Sequence, residues 1–203
     1  MPELRNWTKD QLEWIKDRET SMSLKAVDRL YDSLGEFMER QGDPIFLFLN
    51  KAKHNCIAVI KEYKEPTNEI KFDMLSCITF HHPSPISKLP ENIKNPLQVK
   101  QVWTVPRFEI EGIASFMYAL LVRTGFTIIS DKVQYLGGKE LWKRMARYAH
   151  LNNYVIRIYN EDNGYIKDDE GNILEYDSSN IDDSIIWKPT TIGQKTLLIL
   201  SQR

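Results

Sequence analysis

Between Leu97 and Tyr159 the hydrophobic period of the chain switches repeatedly, and this succession limits the fold more than any other feature. LQVKQVWTV, FTIIS and YVIRIY are short β-branched and aromatic runs that read as strands. Between them, residues 112–123 carry Ile113, Phe116, Met117, Leu120 and Leu121 at the spacing i, i+3, i+4, i+7, i+8, and residues 138–150 carry Leu141, Trp142, Met145 and Ala149 on one stripe. Each of these segments is a helix with one apolar face, so the order is β-α-β-α-β and both helices must lie on a sheet. Neither stripe needs a cofactor to explain it.

Upstream the pattern differs. PIFLFLN, NCIAVIKEY and IKFDMLSCITF follow one another with only KAKH and EPTNE between them, which favours an antiparallel meander. The first forty residues read as two amphipathic helices. Thr8 and Gln11 have capping-box spacing for the first, and Leu24, Val27, Leu30, Tyr31, Leu34 and Met38 recur at helical spacing for the second, before Gly42, Asp43 and Pro44 break it. HHPSPISKLPENIKNP holds Pro83, Pro85, Pro90 and Pro96, too many for a regular element. Near the C-terminus, the acidic, turn-rich NEDNGYIKDDEGNILEYDSSNIDD reads as a solvated hairpin around residues 169–172, and IIWK and KTLLILS look like closing strands.

Composition removes several classes. At 203 residues, 42% hydrophobic and 27% charged, the chain suits one globular domain rather than a disordered or fibrous protein. Its net charge of -1 gives no general attraction to nucleic acid or an anionic membrane, so nucleic acid is not an expected partner. Cys56 and Cys77 have no metal-ligand spacing and read as buried free thiols. The charged start MPELRNWTKD and the lack of a long apolar run point to a cytoplasmic protein with no membrane partner.

The chemistry concentrates in VWTVPRFEIEGIASFMYALLVRTG, residues 102–125. A strand ending near Pro106, a turn containing Gly112 and Ala114, and then an apolar helix can present backbone N–H groups to an anion. The plain alternative is an ordinary strand-turn-helix junction. This segment resembles motif A of the GNAT acetyltransferases, a strand and a Pro followed by Q/R-x-x-G-x-G/A at a helix start, with Glu109 at the Q/R position, Gly112 at the first glycine and Ala114 at the last. SDKVQYLGGKELWKRMARY is in turn similar to a segment of bacteriophage-encoded GNAT-like proteins, in which an S-D dipeptide precedes a polar turn and an L-W-x-R-L helix.

The resemblance implies an α/β (α+β) fold, with a mixed, mostly antiparallel central sheet flanked by helices. It implies a single domain over 1–203, with a core at 7–160 and a C-terminal β extension at 161–203. The implied ligand is acetyl-CoA. Main-chain groups around Trp103 and Val105 would meet its pantetheine arm, and Arg107, Glu111, Gly112, Ile113 and Ala114 would surround its pyrophosphate. The chain departs from the motif at Glu109, Ile110 and Glu111, where two carboxylates oppose a pyrophosphate by at least about 1 kcal/mol each at close range, partly offset by Arg107.

Acetyl transfer to an amine needs a base and an acid. Residues 97–105 contain no carboxylate, so Asp131, beside Ser130, and His82, next to His81, are the candidate bases, and Tyr135 and Tyr148 the candidate acids. Solvated loop histidines and a turn or capping aspartate are the plain alternatives. Lys139, Lys143 and Arg147 share a helix face, either solvated or an anion site, with Arg144 beside them. The activity implied is N-acyl transfer from acetyl-CoA to an unidentified amine or protein acceptor by direct attack. The alternative is an inactive GNAT-fold phage protein that acts by binding a host protein or as a virion component.

Overall fold

The computed structural model describes residues 3–5, 21–38, 44–64, 69–81, 89–90, 93–105, 112–131, 133–177, 186 and 196–203. The elements in chain order are β1 (Glu3–Arg5), β2 (Ser21–Ser23), α1 (Leu24–Leu30), β3 (Tyr31–Met38), β4 (Pro44–Asn50), β5 (Asn55–Lys64), β6 (Glu69–Phe80) and β7 (Pro96–Thr104). They continue with α2 (Ile113–Arg123), β8 (Thr127–Ile129), β9 (Val133–Tyr135), α3 (Leu136–Leu151), β10 (Tyr154–Asn160), β11 (Gly164–Tyr165) and β12 (Thr196–Gln202). Ten strands form one open sheet in the order β11-β10-β12-β8-β7-β6-β5-β4-β3, with β2 pairing β6 alongside, and β1 pairs β9 separately. The fold is mixed α/β. Within the large sheet the junctions are antiparallel apart from β7–β8, which is parallel.

The meander expected from the sequence forms as β4, β5 and β6. In β4 the alternation is literal: Ile45, Leu47 and Leu49 are buried toward α2 and α3, and Phe46 and Phe48 turn to the other face, where both meet the Phe72 ring edge-on. In β5, Cys56, Ile57, Ala58 and Val59 are all fully buried, because both faces of the sheet are covered there. One face carries α2 and α3, whose Ile113, Met117, Leu121, Trp142 and Met145 pack on Ile45, Ile78, Val99, Ile128, Ile156 and Leu198. The opposite face is covered by Val27 of α1 at one end and by Leu89 and Ile93 of the proline-rich connection at the other.

Two elements differ from the sequence reading. The helical spacing from Leu24 to Met38 predicts one helix, but the helix ends at Leu30 and Tyr31–Met38 pairs antiparallel with β4. Asp32, Ser33 and Gly35 are weak helix formers, and the free edge of β4 offers a complete ladder that outweighs the remaining propensity. A register shift between Ser33 and Gly35 marks a bulge, with Gly35 at φ +136°. The other element is the final strand, assigned from sequence to a C-terminal extension. It lies between β8 and β10, with Leu197, Leu198, Ile199 and Leu200 buried. The first predicted helix and most of IIWK fall outside the described residues, although Ile186 is buried in the main core.

The hairpin expected around 169–172 is present. The Asp168 carboxylate accepts from the backbone N–H groups of Glu170 and Asn172, at 3.0 and 2.8 Å. Among the described residues no helix is long and apolar enough to cross a membrane.

Candidate functional site

The parallel junction is short. β7 and β8 pair at Pro96↔Thr127, Leu97↔Ile128 and Gln98↔Ile129 and no further. One residue later β7 carries a bulge: Thr79 of β6 faces Gln101 while Phe80 faces Val99, so Lys100 is the extra residue. A bulge bends its strand and raises the local twist. From there β7 follows β6 to Thr104, β8 stops at Ile129, and no strand among the described residues pairs with the β8-facing edge of residues 99–104.

The groups exposed along that edge follow from strand alternation. The Val105 N–H donates to the Leu75 carbonyl at 2.8 Å, and the Trp103 carbonyl accepts from the Ser76 hydroxyl at 2.8 Å, so odd-numbered residues address β6. Val102 and Thr104 therefore turn their N–H and C=O toward the opening. Val99 to Thr104 spans roughly 17 Å at the usual rise of a strand. Residues 101–105 are half-buried.

In chain order β7 is followed by α2, which leads on to β8. The α2 cap, Gly112, is left-handed at φ 77° and ψ 25°, with no side-chain capping bond, and the first turn closes through Phe116 N–H to the Gly112 carbonyl at 3.0 Å. The N–H groups that open a helix have no partner within it and carry the positive end of its dipole. Arg144 of α3 reaches this point: a Cβ on Gly112 would lie 3.1 Å from its Nη1. In the same turn Ser115 is 5% exposed and its hydroxyl has no hydrogen-bond partner.

At the narrow end, where β7 and β8 part, polar groups replace apolar ones. His81 Nε2 lies 3.5 Å from Asp131 Oδ1, with the side chains 28% and 23% exposed. Gln98, 1% exposed, donates its amide N–H to the Ser130 carbonyl at 3.4 Å, and its own side-chain carbonyl has no partner. The Ser130 hydroxyl accepts from Leu198 N–H at 2.9 Å, which ties this corner to β12. Burial and then the nearby Asp131 charge push the Tyr118 hydroxyl well above the ordinary phenol range, so it keeps its proton.

No family model, curated protein or solved structure matches this chain. The arrangement of the residues must therefore carry the functional argument.

Of the residues singled out from sequence, Asp131 lies at the narrow end beside His81; His82, Arg107 and Glu111 fall outside the described residues, as does Glu109. Trp103 turns its ring into the cluster of Ile57, Val59, Phe72 and Cys77, away from α2 and α3. Val105 packs against the main core and commits its N–H to Leu75. Gly112 caps α2, Ile113 buries its side chain beneath it, and Ala114 is half-buried in its first turn. Tyr135 pairs through its backbone with Arg5 in the separate β1–β9 ladder. Tyr148 is 51% exposed on α3. On the basic face, Lys139 and Lys143 are half-buried and not without partners, while Arg147 is exposed.

Ser115, Tyr118 and Gln98 are additions that sequence reading did not single out. Gln98 had one available signal, an amide inside an otherwise apolar strand start. Among the described residues no three His, Cys, Asp or Glu side chains converge on a possible metal position.

Proposed function

We propose that the chain binds an acyl-CoA along the opening between β7 and β8 and transfers the acyl group to an amine, as the GNAT resemblance of its sequence implies. The single observation that carries the reading is the parallel pair that closes over three residues and then opens at the Lys100 bulge. An extended ligand with amide groups can continue the ladder on such an edge. Pantetheine has two amides, and the main-chain groups of Val102 and Thr104 are available to them. The first N–H groups of α2 face the pyrophosphate, a favourable match of charge and dipole.

The bound thioester supplies the activated acyl carbon. This chain's own residues orient it and handle the proton. His81, beside Asp131, accepts the proton of the attacking amine on the ring nitrogen that Asp131 does not engage; the new C–N bond replaces the C–S bond, and the leaving thiolate takes up that proton from the imidazolium to depart as free CoA. The tautomer follows from the contact with Asp131.

Titration calorimetry with acetyl-CoA, paired with detection of free thiol in the presence of mixed amines, tests the proposal. Micromolar binding and amine-dependent thiol release are the expected results. No heat at millimolar acetyl-CoA overturns it. Binding without turnover against any amine or peptide would favour the second reading, a binding protein on the same scaffold, which Glu109 and Glu111 beside Gly112 in the sequence support.

A further inference from the structure

We infer that this chain carries a docking surface for a second copy of itself: the basic, partly apolar end of α2 and α3 on one copy receives the acidic hairpin beyond β11 of the next. The inference is independent of the acyl-CoA reading.

β8 and β10 both run antiparallel to β12, so both begin at one end of the sheet, and α2 and α3, which lead into them, end there. Hydrogen bonds join that end into one surface. Gln202 Nε2 donates to the Arg123 carbonyl at 3.4 Å, Arg203 N–H to the Asn153 carbonyl at 3.1 Å, and Asn152 Nδ2 to the Tyr148 carbonyl at 2.8 Å. Asn95 Nδ2 reaches the Gly125 carbonyl at 3.3 Å, and Lys53 Nζ stands 5.4 Å from the centroid of the Phe126 ring. Lys53, Lys94, Arg123 and Arg147 are exposed here, and among the described residues none of the four lies in an ion pair. Arg203 is already paired with Glu175.

Cations complement the negative end of a helix dipole, which accounts for Arg123 and Arg147 in a monomer. It does not account for Leu151, 80% exposed as the last residue of α3, or for Tyr148, 51% exposed one turn earlier. An apolar pair rimmed by arginine, with a tyrosine in it, has the composition of a protein interface.

The hairpin supplies the complement. Asp168, Asp169 and Glu170 are exposed, with Lys167 offsetting one charge, and Ile173 beside them is 40% exposed. The Asp168 carboxylate, accepting from the Glu170 and Asn172 N–H groups, fixes the turn, so little ordering entropy is lost on docking. A net charge of -1 sets up no long-range repulsion between copies. Both patches stay exposed within one chain and so do not cover each other. Contact between unlike patches is heterologous, and it propagates head to tail.

Sedimentation equilibrium of the full chain at rising concentration, in roughly 20 mM and roughly 500 mM salt, tests this. The wild type is expected to exceed the monomer mass at low salt and to return to it at high salt. Arg147→Glu and Glu170→Lys, each checked for an unchanged thermal melt, weaken association by at least about tenfold, and Leu151→Ala weakens it by about threefold or more. The decisive arm is the mixture. Arg147→Glu keeps its hairpin and Glu170→Lys keeps its basic end, so the two regain association together at concentrations where each alone is monomeric. A wild type that stays monomeric at low salt overturns the proposal, as does association that both reversals leave unchanged, or a mixture that stays monomeric. If a monomeric wild type instead binds polyglutamate or single-stranded DNA through Arg147, the basic end serves an outside polyanion and the second copy is overturned.

Discussion

Two junctions of the same sheet behave in opposite ways. β5 and β6 stay paired from Asn55↔Thr79 to Lys64↔Glu69, through a register shift at Ala58/Val59, whereas β7 and β8 separate after Gln98↔Ile129. The first junction lies where both sheet faces are buried by apolar side chains, so any exposed peptide group there would go unsatisfied. At the second, Gln98, Lys100, Ser130 and Asp131 bring polar groups to the point of separation, and the bulge turns β7 away. A bulge alone therefore does not open a sheet. Opening requires that the peptide groups released have water or a ligand to meet.

The sharpest way to break this comparison is a pair of prolines. Ile57 is paired on both sides, to Phe48 and to Cys77, so Ile57→Pro should cost at least about 3 kcal/mol in urea unfolding through a lost ladder bond and an unmet carbonyl. Val102 turns its N–H to the opening, so Val102→Pro should cost about 1 kcal/mol and weaken acetyl-CoA by at least about tenfold, near the value of one backbone hydrogen bond. Equal destabilisation by the two prolines would show that the edge is not open.

Next in size is the narrow end. His81→Ala should lower kcat for amine acylation by about 100-fold or more with little change in acyl-CoA affinity, since a base acts on the amine and does not hold the thioester. A loss confined to KM would move His81 out of proton transfer and into binding.

The closed junction also makes a chemical prediction. Burial, and secondarily Cys77, push the Cys56 thiol well above its ordinary range, so the nucleophilic thiolate is suppressed as well as inaccessible. At pH 8 a thiol reagent should leave Cys56 unmodified until denaturant is added. Ready labelling of the native protein would mean that the β5–β6 region opens locally.

The smallest effect belongs to the exposed hairpin beyond β11. Hydrogen bonds from Asn172, Glu170 and Gly171 hold the Asp168 carboxyl below the usual carboxylate range. A lowered folded value stabilises the hairpin above the unfolded pKa, and that contribution disappears as pH falls through the folded value. Asp168→Ala should therefore speed amide exchange at residues 168–172 at neutral pH while leaving the global melt and the opening untouched. A change in the global melt would tie the hairpin to the core more closely than its exposure suggests.

Much of the architecture was legible in order and type. The β4–β6 meander, α2, α3 and the strands around them follow from alternation and from apolar stripes, because burial of one face imposes its period on the residues that bear it. Gly112 was legible as part of the turn that opens α2, whereas its left-handed conformation at the cap was not. The segment Tyr31–Met38 was not legible: its helical spacing lost to the unpaired edge of β4, the next strand of the chain, whose ladder the spacing of Leu24 to Met38 does not record.

By itself, then, the sequence determined which segments are strands or helices over most of the described chain and which of their faces are buried. Tertiary structure alone decided that β12 enters between β8 and β10, that Lys100 is the bulge, that His81 meets Asp131, and that Arg144 arrives over Gly112. The physical reason is that periodicity records how much of a residue is hidden and says nothing of which distant group hides it. Partner choice is settled when whole layers pack, and the proposed site is made almost entirely of such choices.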